Sequence, residues 1–108
     1  MSRVSIDREV EMEAGWSFSC RWTMPDGTER TIELGLSWAD YDHWAPDGSV
    51  APQHVAAAVI GLLLEQDDIP DRPRLDAALL RRLVPGADAM LQDRVRESPP
   101  PRGGTMHS

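Results

Sequence analysis

The chain contains no lysine and a single cysteine, Cys20. A lone thiol cannot close an internal disulfide or build a multi-cysteine zinc site. With lysine absent, every basic side chain is arginine, which reads as the bacterial-like composition of a GC-rich coding sequence rather than as a functional device. No apolar run approaches the ~20 residues that cross a bilayer, so no membrane partner is expected. The opening MSRVSIDREVEME alternates with acids and lacks the apolar core of a signal peptide, which makes the cytoplasm the expected location. Nucleophile elbow, phosphate loop, dinucleotide fingerprint and HExxH are all missing, and no cofactor is expected. Internal repeats are missing too.

What is present is an acidic chain of 108 residues with a formal net charge of −7, long enough for one modest core. The charge is uneven. Residues 1–71 hold fourteen acids against four arginines, whereas residues 72–108 hold four acids against seven arginines. The acidic front half makes nucleic acid an unlikely partner, because phosphate binding needs clustered positive charge.

Three successive segments alternate with period two: Arg3 to Met12, Trp16 to Met24 and Thr28 to Trp38. Each puts its large apolar residues at even positions, the pattern of three strands with one buried face. Pro25-Asp26-Gly27 suits a three-residue hairpin loop, with Pro presetting the turn and Gly27 supplying a positive φ. Glu13-Ala14-Gly15 offers the same loop with weaker turn residues. That pair of turns predicts Cys20 between Arg8 and Ile32, Phe18 between Val10 and Leu34, and Trp22 between Ile6 and Arg30. It also sets Arg21 opposite Asp7 as an exposed ion pair. Arg8 and Arg30 would then interrupt the buried face, either by snorkelling at its margin or as an anion-binding pair. Cys20, at the centre of that face, reads as a small core residue.

The longest apolar run, Pro52 to Glu65, begins with proline at a helix start and carries a stripe of Val55, Val59, Leu62 and Leu63. Ile60 and Leu64 lie on its other side, so this helix must be covered twice. Asp71 is placed to cap a second helix from Arg72-Pro73 bearing Leu75, Leu79, Leu80 and Leu83, stopped by Pro85-Gly86. A third runs from about Asp88 to Glu97 with Met90, Leu91 and Val95. These two helices are the expected second cover; failing them, a homodimer would supply it. Residues 1–97 are read as one domain, and residues 98–108, SPPPRGGTMHS, as a disordered tail.

Between the last strand and the first helix, residues 37–49 concentrate Trp38, Asp40, Tyr41, Asp42, His43, Trp44 and Asp47 in what reads as a loop. Loops bearing such residues often carry function. Trp38, Tyr41 and Trp44, with Asp40, Asp42 and His43, are the candidate partner-binding residues, because Trp and Tyr dominate interface hot spots. Core closure by Trp38 and Trp44 competes with that reading. A metal reading uses Asp40, Asp42, His43 and Asp47, with His54 from the first helical turn, but their spacing matches no calcium loop and no HxxxH pair. The expected fold is α+β: a three-stranded antiparallel meander followed by two or three helices, the first packed on one sheet face. The expected function is a non-catalytic protein-interaction module. An acidic inhibitor or immunity-type protein meeting a basic partner is the first alternative, and a metal-dependent hydrolase built on the Asp40–His43 corner the second.

Overall fold

A computed structural model describes residues 4–46, 48, 50–66 and 69–97. The fold is α+β. Strands β1 (Val4–Met12), β2 (Gly15–Thr23) and β3 (Glu29–Ser37) form the antiparallel meander. They are followed by α1 (Trp38–Trp44) and α2 (Pro52–Glu65). A short fourth strand, β4 (Arg74–Asp76), then joins the sheet parallel to β3, giving the order β1-β2-β3-β4. A 3-10 turn (Ala77–Leu79) leads into α3 (Leu80–Leu83), and α4 (Ala87–Glu97) ends the described chain.

The β2–β3 register is the expected one, with Phe18 opposite Leu34, Cys20 opposite Ile32 and Trp22 opposite Arg30. Its loop closes through the Gly27 N–H donating to the Met24 carbonyl at 2.9 Å, with Gly27 at φ 93°. The β1–β2 register is different. Met12 pairs with Gly15, so the turn is the two residues Glu13-Ala14, and Arg8, Val10 and Met12 stand opposite Ser19, Ser17 and Gly15. A β-bulge between Ile6 and Arg8 absorbs Asp7 and restores Ile6 opposite Cys20 and Val4 opposite Trp22. Period-two reasoning cannot see a bulge, because one extra residue exchanges the faces on either side of it. The predicted partners of Arg8, Val10 and Ile6 are corrected accordingly. Asp7 still reaches Arg21 at 3.3 Å, although Arg21 is opposite Ser5.

The bulge also separates Arg8 from Arg30. Arg8 shares the outer face with Ser19, whereas Arg30 stays on the helix side, 5.5 Å over the Trp22 ring and donating to the Pro70 carbonyl. The two cannot form one anion site. Glu9 and Glu11, opposite Phe18 and Trp16, move the other way, from the expected outer face to the exposed rim of the helix side.

α2 is the element buried from two directions, as its apolar girth requires. Val55, Ala56, Val59 and Ile60 are fully buried, and Leu62 and Leu63 are nearly so. Each large side chain there contributes about 1.5–3 kcal/mol over an exposed one. The sheet, through β1 and β2, covers one side, and α4 with α1 covers the other. Arg94 of α4 is ion-paired to Glu65 of α2. This chain therefore supplies the second cover itself. One correction concerns the linker: the predicted second helix is replaced at its start by β4, and the cap is Asp76, whose Oδ1 accepts from the Ala78 N–H at 2.9 Å, rather than Asp71. Leu75 is buried beside Leu34 instead of lining a helix. The expected tail, 98–108, lies outside the described residues.

Candidate interaction site

The aromatic-acidic segment is a helix rather than a loop. Ser37 caps it, its Oγ accepting the Asp40 backbone N–H at 3.1 Å. The sequence signal was the S-x-x-D spacing of Ser37 and Asp40. With α1 formed, Tyr41 and Trp44 at i and i+3 turn into the core while Asp42 and His43 stay exposed.

Most of the corner is tied into the fold. The Tyr41 hydroxyl donates to the Val50 carbonyl, and its ring meets Trp16 edge-on with centroids 5.3 Å apart. Trp44 is 1% exposed, and its indole N–H donates to Asp88 Oδ1 at 2.8 Å. Arg81 lies over the Trp44 ring at 4.9 Å and bridges two carboxylates, Asp40 at 2.9 Å and Asp88 at 2.8 Å. His43 Nε2 is 3.5 Å from Asp88, and Gln92 donates to the His43 carbonyl. The Trp44 hydrogen bond, with the charges of Arg81 and His43, holds the Asp88 carboxyl below its ordinary range against the opposing effect of partial burial. α1 is thereby stapled to α3 and α4.

For the metal reading, Asp40 spends its charge on Arg81 and His43 faces Asp88. Asp47 lies outside the described residues, and His54 is half-buried in the first turn of α2. Among the described residues no three histidine, cysteine, aspartate or glutamate side chains converge on a point. Cys20 is fully buried, and burial first, then the charges of Asp7 and Glu33, push its thiol up to about 12. Such a thiol stays protonated and is no nucleophile.

Trp38 is the exception in the corner. It is 44% exposed, propped against Trp16 with ring centroids 4.2 Å apart. Its backbone N–H donates to the Ala14 carbonyl in the β1–β2 turn. That same end of the sheet carries Met12, opposite Gly15, which is in turn opposite Ser37, the residue before Trp38. Val10, two residues back on the same outer face as Met12, is 43% exposed and Met12 is 55% exposed.

Behind this ledge the outer sheet face forms a shallow trough of about 550 Å³. Ser17, Ser19 and Gly35 make its floor, Val10 and Met12 one wall, and Arg74 and Asp76 of β4 the other. Glu33 stands in the middle, its two carboxylate oxygens accepting from Ser17 and Ser19 at 3.3 and 3.1 Å. Val10 and Met12 were missed as site residues because uninterrupted alternation assigned them to the core. Only the bulge turns them out. Comparison of the chain with protein-family models, with curated proteins and with solved structures returns no match.

Proposed function

We propose that the chain is a non-catalytic protein-interaction module whose contact surface is the end of the sheet bearing Val10, Met12 and Trp38. The observation that carries this reading is their clustering. Three of the large exposed apolar side chains share one end of the sheet, while the remaining aromatic residues of the corner are buried. A sheet end with Val10 and Met12 on its outer face and Trp38 against Trp16 on its helix side, bordered by charge, offers apolar surface for a partner that wraps around it. An exposed tryptophan braced by a second ring suits an anchor. Trp38, drawn from the original six candidates, therefore binds directly. Tyr41, Trp44 and Asp40 hold the platform, and Asp42 and His43 lie exposed on α1.

The test begins with a partner retained by the immobilised protein from its own host, then purified and rebound. Trp38→Ala and Met12→Asp should each weaken binding by about tenfold or more, with the melting temperature of Met12→Asp close to that of the wild type. Equal affinity in both variants would remove the ledge from the interface.

One observation favours a second reading, an acidic inhibitor of a basic partner. Asp7, Glu9, Glu11 and Glu13 crowd the free edge strand β1 and its turn, all of them exposed. In that case association slows steeply as salt screens the charge steering, and Glu9→Gln/Glu11→Gln slows it further. A rate independent of salt would count against it.

A further inference from the structure

Partners across a sheet share a face, so the register lays out the trough as rows. One row reads Arg8, Ser19, Glu33, Arg74, and the next Val10, Ser17, Gly35, Asp76. Arg21, Arg30, Arg81, Arg94 and Arg96 each meet a carboxylate of this chain. Arg8, Glu33, Arg74 and Asp76 do not: among the described residues none of these four forms an ion pair, although they line one trough. The patch thus carries two unpaired charges of each sign on a molecule whose formal net charge is −7.

We propose that this face pairs with the same face of a second copy, which makes the module a homodimer. The assignment rests on the outer face being a docking surface and names its occupant. An isologous contact needs a patch complementary to itself, and these rows satisfy that. A two-fold axis running across the strands between the two rows exchanges them. Arg74 then stands over Asp76 of the copy, and Asp76 over Arg74 of the copy. Glu33 enters the space above Gly35 of the copy, where even a Cβ would meet nothing within 4 Å. The stem of Arg8 covers Val10 of the copy, while Met12, one row further on, lies outside the exchanged rows. Two molecules of this charge repel through their acid-rich surfaces, whereas here Arg74 and Asp76 of each copy meet their opposites twice over.

The experiment is light scattering and sedimentation of the full chain over a concentration series. A mass twice the 12.0 kDa of one chain is expected. Arg74→Glu, which sets like charges over one another twice, and Val10→Arg, which sets a second arginine against Arg8 of the copy, should each raise the dimer dissociation constant at least tenfold. Gln53→Lys, exposed on α2 on the helix side of the sheet, should leave it unchanged, and far-ultraviolet circular dichroism reports whether each variant is folded. A wild type that stays monomeric at every concentration overturns the dimer. A dimer that survives both trough variants overturns it too, and points to another surface. Failure of the broader reading looks different: a different protein that still binds Met12→Asp and Trp38→Ala as tightly as wild type removes the docking ledge whatever the oligomeric state.

Discussion

A methyl group at Gly15 would sit 2.1 Å from the Leu36 carbonyl oxygen and 2.7 Å from the Ser37 Cα, both backbone atoms that cannot yield. Gly15→Ala should therefore cost about 2–3 kcal/mol in urea unfolding, and a loss under about 0.5 kcal/mol would mean that the β1–β2 turn opens to admit the methyl group. Trp44 and Asp88 give a pH signature. The folded carboxyl of Asp88 is held below its ordinary range, first by the Trp44 N–H. A depressed carboxyl contributes stability that is present above its unfolded value near 3.9 and is lost as pH falls through the folded value. Trp44→Phe removes the donor. It should lower stability at neutral pH by about 1 kcal/mol, with the gap to wild type narrowing below about pH 4, and it should move the Asp88 carboxyl resonance toward ordinary titration. Cys20 offers a simpler check. A buried thiol raised to about 12 should be inert to a disulfide reagent at neutral pH and react fully once the chain is unfolded.

At the scale of elements, the bulge in β1 decides what faces the solvent. Deleting Asp7 leaves Ile6 adjacent to Arg8, which turns the two registers into one while each side chain keeps its face. The variant should stay folded, but its edge strand becomes regular. Since a bulge and charge protect an edge from pairing with other chains, it should aggregate sooner, as light scattering on prolonged warming would show; unchanged solubility would mean that the acids alone guard the edge. α2 is the other decisive element. Ile60→Ala, at a fully buried site facing away from the predicted stripe, should cost about 2–5 kcal/mol. The meander and the central helix were legible because alternation and helical spacing report burial directly. β4 was not, since three residues are too few for a period, and the Leu75 that buries in it fits a helical stripe equally well. The β1 turn was misread for the same reason as the faces: Glu13-Ala14-Gly15 satisfies a three-residue loop, and nothing local reveals that Asp7 compensates for a shorter one. In the candidate site, Trp38 could be chosen from composition, whereas Val10 and Met12 could not.

For the whole molecule, the division between halves is informative. The sheet face formed by β1 and β2 is closed by α2, and α2 is closed in turn by α4. A chain ending after Gln66 keeps the meander and α2 but removes the α4 cover from α2. It should bind a hydrophobic dye strongly and melt without cooperativity, whereas a sharp transition would show that the front half is a unit by itself.

The link between Asp40 and Arg81 spans 41 residues, and β4 reaches β3 only after the whole α1–α2 crossover is in place. Neighbouring strands of the meander close short loops, whereas this closure is distant in the chain and entropically slower. The staple should therefore form after the folding barrier has been crossed. Arg81→Met would then speed unfolding while leaving the refolding rate nearly as it was, so that the contact joining the two halves acts as a latch on the lifetime of the native state rather than as a guide to reaching it.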